Sequence, residues 1–234
     1  MNNLILSGFS GTGKSTVAKK VAFLLGRDFI DTDNLISLKA GLEISQIFIE
    51  KGEEFFRELE GEVIKEVASL SELVIALGGG AFSNPKNREL LLNSGIVISL
   101  DASAKTIEAR LSSQSNLAND SNHTRPMLLG TNPLDKIVSL KSQREPDYEL
   151  ADSTIFTDDL TANEVATKTI KIWDALRNEP RTRAISNRPA SPEGELSALV
   201  HTSSGPYPIF VGWEILENLG TRCRALGFDN RAFL

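Results

Sequence analysis

The chain has 234 residues, a formal net charge of −6, 41% hydrophobic and 24% charged residues, which is a globular composition of roughly 1.6 domains and excludes wholesale disorder. The acidic balance argues against a nucleic-acid module, and Cys223 with only His123 and His201 is too little for a structural zinc site or an intrachain disulfide. No apolar run approaches the roughly 18–20 residues of a membrane helix, and Met1–Leu6 lacks the features of a signal peptide, so a cytoplasmic protein is expected.

Leu4-Ile5-Leu6 reads as a short strand that ends in a glycine-rich turn. Residues 14–25 read as a helix with Val17, Val21, Leu24 and Leu25 on one face and Gly26 as its stop. The turn between them, Gly8-Phe9-Ser10-Gly11-Thr12-Gly13-Lys14-Ser15, fits the phosphate-loop pattern G-x-x-x-x-G-K-[ST] in its required strand-to-helix context. Its glycines let backbone N–H groups converge on phosphate oxygens at a helix N-terminus. Lys14 is placed to reach the β- and γ-phosphates of a nucleotide, and the Ser15 hydroxyl to ligate Mg²⁺.

Phe29-Ile30 is a second strand, running into Asp31-Thr32-Asp33. Ligands of doubly wound sheets sit at the carboxyl ends of strands, so these acids share the side of the phosphate loop. If extended, the pair points to opposite sides, one carboxylate toward metal and phosphates, the other toward an acceptor hydroxyl whose proton it could take. The competing reading makes Asp33 the N-cap of a short helical run at Asn34-Leu35-Ile36.

Residues 43–51 and 53–69 read as helices, the second with a stripe of Phe55, Phe56, Leu59, Val63, Ile64 and Val67. Arg57 lies beside that stripe, either as a bidentate carboxylate binder or as a surface arginine with a buried stem. Leu73–Leu77 is a continuous apolar strand, suited to burial on both faces of a parallel sheet. Gly78-Gly79-Gly80 follows it, which makes sense where a ligand approaches the backbone closely. No acid closes this strand, which leaves Asp31 as the natural metal-side carboxylate.

A helix over 85–94, a strand at Ile96–Leu100 and a helix over 103–112 come next. Residues 113–133 form a long polar loop, in which Arg125 could close over phosphates as part of a lid. A helix over 134–145 ends at Arg144, which either complements the helix dipole or binds an anion. Thr154-Ile155-Phe156 is a further strand, and Thr161 with Glu164 makes a capping box for a helix to about residue 177. Strands alternating with helices predict an α/β fold, a three-layer α/β/α parallel sheet.

Composition changes beyond that helix. All 12 lysines precede residue 178, and residues 1–177 hold 19 basic and 25 acidic residues, whereas 178–234 hold six of each. Pro180, Pro189 and Pro192 mark a linker, assigned to 178–196. Ile209-Phe210-Val211 then reads as a strand, residues 213–226 as a helix with Leu216, Leu219 and Cys223 on one side, and Arg231–Leu234 as the start of another strand. The expected domains are 1–177, a phosphate-loop kinase domain, and 197–234, an incomplete α/β extension.

Six pieces in order, GFSGTGKST at 8–16, DTD at 31–33, FFRELE at 55–60, GGG at 78–80, RPML at 125–128 and REPDY at 144–148, resemble the shikimate kinase family over about residues 2–177. The resemblance implies the phosphate-loop fold of nucleoside-monophosphate kinases and transfer of the ATP γ-phosphate to the 3-hydroxyl of shikimate, with Mg²⁺. It implies that Asp33, Arg57, Gly79, Gly80 and Arg144 hold shikimate, the two arginines taking its carboxylate and Asp33 its hydroxyls and the proton. It further implies that Gly11, Thr12, Gly13, Lys14, Ser15 and Thr16 hold ATP, that Asp31 and Ser15 serve Mg²⁺, that Arg125 is a catalytic lid arginine and that Arg110 packs on adenine. Residues 112–124 depart from the family by greater length and by Asn and Ser content.

The stretch Ser203–Gly212 resembles the N-terminal start of dehydroquinate synthase, without that family's downstream catalytic parts, so no synthase activity is expected and the chain reads as a fusion cut short. A fortuitous hairpin-like or helical extension is the competing reading of the tail. For the kinase domain the alternatives are another small-molecule kinase, for gluconate or a nucleoside monophosphate, and a non-catalytic ATP-binding module. A monomeric kinase domain with no nucleic-acid or membrane partner is expected.

Overall fold

A computed structural model describes residues 2–117, 133–178, 196–202 and 205–210. The first unit of the chain, Met1–Pro180, is built on five parallel strands: β1 Asn3–Ser7, β2 Phe29–Asp31, β3 Val74–Ala76, β4 Gly95–Asp101 and β5 Ser153–Phe156, in the order β2-β3-β1-β4-β5. Leu4, Ile5 and Leu6 of β1 pair with Val74, Ile75 and Ala76 on one side and Ile96, Val97 and Ile98 on the other. All of these side chains are buried, because a central parallel strand is covered on both faces.

The two faces follow from the two-residue strand period. Leu4, Leu6, Val74, Ile96, Ile98 and Leu100 point to one cluster, where they meet Val17, Ala18 and Val21 of α1 (Lys14–Leu25) and Val165, Ala166 and Trp173 of α8 (Ala162–Arg177). Ile5, Ile75, Leu77 and Val97 point to the other, with Val63, Ile64 and Val67 of α4 (Gly52–Ser69), Leu91 of α5 (Pro85–Ser94) and Ile137 of α7 (Pro133–Tyr148). Ile36 of α2 (Thr32–Ala40) and Ile47 of α3 (Ile44–Glu50) join this second cluster, and α6 spans Ala104–Leu117. The predicted three-layer α/β/α architecture is thus the observed one.

Several local expectations are corrected. Along α1 Val17 and Val21 are buried as expected and are joined by Ala18 and Ala22, while Leu24, at the margin of that face, is 59% exposed. Along α4 it is Glu60, not Phe55, that is buried, at 1% against 40% exposure. The acidic pair after β2 is not extended: α2 starts at Thr32, Asp31 is its N-cap and accepts from the N–H groups of Asp33 and Asn34, and Asp33 lies in the first turn. α6 continues to Leu117, past the predicted end at 112. α7 continues through Pro146 to Tyr148, where Arg88 Nη1 grips Asp147 Oδ1 at 2.9 Å and the Tyr148 phenol donates to the Gly79 carbonyl. The capping box of Thr161 and Glu164 forms as predicted.

The second unit is Arg181–Leu234. Within it β6, Leu196–Thr202, and β7, Gly205–Phe210, pair antiparallel. The predicted strand at 209–211 therefore falls at the end of a hairpin strand, and β6 begins at the last residue of the expected linker. The predicted helix at 213–226, the terminal strand and Cys223 lie outside the described residues, as do Arg125, His123 and most of the predicted polar loop.

Candidate active site

The carboxyl ends of β1, β2, β3 and β4 lead into the phosphate loop, the Asp31–Asp33 turn, the triglycine turn and Asp101. Sheet order sets β2 and β3 side by side with Asp31 opposite Ala76, so the acidic turn and the triglycine turn are neighbours.

The phosphate loop is cut to shape by its backbone. Gly8 has φ 127° and approaches the Leu100 carbonyl so closely that a Cβ there would stand 2.1 Å from its oxygen. Thr12 Oγ1 donates to the Phe9 carbonyl at 2.8 Å and draws the loop tight. Lys14 is buried, and its Nζ donates to the carbonyls of Gly8 and Phe9 at 2.9 Å each, so the ammonium lies across the loop at the mouth of α1. Ser15 Oγ donates to Asp31 Oδ2 at 2.6 Å. Magnesium keeps several waters and takes one or two protein oxygens beside the substrate phosphates, and this hydroxyl–carboxylate pair fits that donor set. Among the described residues no group of three or more His, Cys, Asp or Glu could hold a metal.

Behind the loop lies a cavity of about 440 Å³, lined in part by Gly11, Thr12, Gly13, Thr16, Arg110 and Thr157. The Arg110 guanidinium is pinned by Thr157, with Nη2 donating to the carbonyl at 2.7 Å and Nη1 to Oγ1 at 3.0 Å. The Thr157 hydroxyl in turn donates to the Asp101 carbonyl at 3.0 Å. Size and position suit the nucleoside part of a nucleotide whose phosphates lie in the loop.

In front of the loop the triglycine turn is crowded on every side. A Cβ on Gly78 would stand 2.3 Å from Asp33 Oδ1, on Gly79 3.3 Å from the Ser10 nitrogen, and on Gly80 2.9 Å from Arg57 Nη1. The Gly79 carbonyl accepts from Arg144 Nη1 at 3.2 Å and from the Tyr148 phenol. Asp33, Arg57 and Arg144 thus surround one turn, and that turn touches the phosphate loop.

Glu60 ties this constellation together. It is 1% exposed and accepts from Arg57 Nη1 at 3.0 Å, while Glu53 accepts from Nε and Nη2 of the same guanidinium. Burial pushes the Glu60 carboxyl above its ordinary pKa, the Arg57 guanidinium pulls it back, and Asp33 and Arg144 act on it as well. Burial likewise raises the Tyr148 phenol to about 12. Sequence reasoning gave Glu60, Tyr148 and Thr157 no role. Glu60 carried a signal, an acid three residues after Arg57 on the apolar side of its helix; Thr157 carried none.

The arrangement offers an anion cradle, a metal-side hydroxyl and carboxylate, and across from them a carboxylate flanked by two arginines. That is a site for moving a phosphoryl group between a nucleotide and a small anionic acceptor.

Comparison with known proteins agrees. The shikimate kinase family profile matches residues 10–174. A shikimate kinase from Thermodesulfovibrio yellowstonii is 42% identical over 178 residues, covering 76% of this chain and 98% of that protein. One from Thermoanaerobacter pseudethanolicus is 41% identical over 177 residues, covering 76% and 99%. Among solved structures, a shikimate kinase from Acinetobacter baumannii in complex with shikimate superposes with a TM-score of 0.69 at 36% identity, covering 76% of this chain and 96% of that one. A shikimate kinase from Aquifex aeolicus gives 0.61 at 28% identity, covering 75% and 98%.

Proposed function

The chain belongs to the shikimate kinase family, and from that premise we propose how its own residues carry the reaction. It phosphorylates shikimate with ATP as donor, and the acceptor is the 3-hydroxyl. The readings as a gluconate or nucleoside monophosphate kinase, or as a non-catalytic binding module, are set aside.

Arg57 and Arg144 take the shikimate carboxylate, since two guanidiniums beside one turn supply paired donors for a planar anion. Asp33 and the backbone of Gly79 and Gly80 take the hydroxyls, and Asp33 orients the attacking hydroxyl and accepts its proton. Lys14 leaves the Gly8 and Phe9 carbonyls for the β- and γ-phosphates, and Gly11, Thr12, Gly13, Ser15 and Thr16 hold the phosphate chain. Ser15 and Asp31 hold Mg²⁺, which when bound neutralises charge on those phosphates. Arg110 packs on adenine in the cavity behind the loop, and Arg125 comes over the phosphates from the lid. Little covalent chemistry falls to the protein, so positioning and charge carry the rate.

The observation that carries this reading is the turn at Gly78–Gly80, wedged between Asp33, Arg57 and Arg144 and in contact with the phosphate loop. It is tested by ADP release from Mg²⁺-ATP with and without shikimate. Release that shikimate does not stimulate overturns it.

Residues 1–177 form the kinase domain and 178–196 a linker. The segment 197–234 resembles the start of dehydroquinate synthase. The kinase domain works as a monomer in the cytoplasm; among the described residues no helix is long and apolar enough to cross a membrane.

A further inference from the structure

We propose that Tyr148 is a positioning residue of the acceptor site, its phenol holding the Gly79–Gly80 peptide and the Arg144 guanidinium in the orientation that receives the substrate. The inference rests on the shikimate kinase reading given above.

Tyr148 is 9% exposed, packs in the core cluster under α7 and donates its hydroxyl to the Gly79 carbonyl. A trans peptide points its C=O and the following N–H in opposite directions. The described backbone has no cis peptide bond, so turning the Gly79 oxygen toward α7 turns the Gly80 N–H away from α7. Gly80 faces Arg57 at its Cβ position, and among the described residues nothing accepts from its N–H. The tyrosine thus sets the direction of a backbone donor it does not touch.

Arg144 acts electrostatically on the phenol and donates to the same Gly79 carbonyl at 3.2 Å. Phenol and guanidinium thus share one carbonyl. When Arg144 turns its donors to an anionic substrate, the carbonyl loses one of two partners, and the buried phenol is the one that stays. Burial keeps the phenol protonated, with a pKa pushed up to about 12, so it remains a donor across the neutral range. Neighbouring bonds hold the tyrosine's own helix end in place: Arg88 Nη1 reaches Asp147 Oδ1 at 2.9 Å and the carbonyls of Phe82 and Ser83.

The test is Tyr148→Phe in the full chain, which keeps the packed ring and removes the donor. Steady-state KM values for shikimate and for ATP, kcat and the melting temperature are measured beside the wild type. The expected result is a shikimate KM raised about tenfold with the ATP KM within about twofold, the size of one lost hydrogen bond. An unchanged shikimate KM, whether or not the melting temperature falls, overturns the inference, as does an equal rise in both KM values. A wild-type chain without shikimate-stimulated ADP release overturns the functional reading itself, which is a separate and earlier failure.

Discussion

At Gly80 an added methyl group would stand 2.9 Å from Arg57 Nη1, the far end of a flexible side chain. Gly80→Ala is therefore expected to fold and to push Arg57 aside, raising the shikimate KM while the ATP KM stays put. Gly8→Ala would drive its methyl group onto a backbone carbonyl at 2.1 Å and at φ 127°, and expression of folded protein is expected to fail. Arg57→Ala removes a charged hydrogen-bonding arm and leaves the buried Glu60 carboxylate without that partner. Its shikimate KM should rise roughly 10–100-fold, the range for a charged hydrogen bond, with ATP KM within about twofold; equal losses for both substrates would sink the assignment. Asp31 has two roles on two oxygens, a helix cap through Oδ1 and the Ser15 contact through Oδ2. Asn caps as well as Asp, so Asp31→Asn should melt within about 1 kcal/mol of the wild type yet need more Mg²⁺ for half-maximal rate. An unchanged Mg²⁺ titration would remove Asp31 from the metal site.

The element that carries Arg110 is fastened at its start. Asp158, in the loop after β5, accepts from the Ser103 N–H at 2.9 Å and from Thr106 Oγ1 at 2.6 Å, just where α6 begins. Those hydrogen bonds, Thr106 first, depress its carboxyl from 3.8 to about 2. A depressed acid lends stability that is present above its ordinary pKa and lost as pH falls toward the folded value. The loss therefore falls between about pH 4 and pH 2, and exposure to solvent keeps it to about 1 kcal/mol or less. Melting curves over that range should fall more steeply for the wild type than for Asp158→Asn; parallel curves would contradict this. α7 makes the complementary point, since its helix continues past a proline because partners on α5 and the triglycine turn hold its last residues.

Among the described residues, the buried core lies in the first unit, with both faces of one sheet filled. A chain ending at Asn178 is expected to keep shikimate-dependent ADP release, with both KM values within about twofold of the full chain and a similar melting temperature. A truncated chain that is inactive would show that residues beyond 178 belong to the catalytic body. At this scale the net charge of −6 also finds its place: two anionic substrates meet in an acidic protein because Lys14, Arg57 and Arg144 are gathered at the carboxyl end of the sheet.

The sequence by itself determined the strands, most helices, the phosphate loop and the α/β architecture, because each rests on a local pattern: apolar runs buried on both faces, a 3.6-residue stripe, glycines at fixed offsets. It also marked Asp31, Asp33, Arg57 and the triglycine turn by residue type and order. Which groups stand beside Arg57 and Arg144 across the fold only the tertiary structure could decide, since Gly79 and Gly80 come near them through packing, whereas Glu60 follows Arg57 at helical spacing. The contacts of Tyr148 and Thr157 were hidden for the same reason. Each depends on a partner brought close by sheet order, and no local period records which distant residue will stand beside a given side chain.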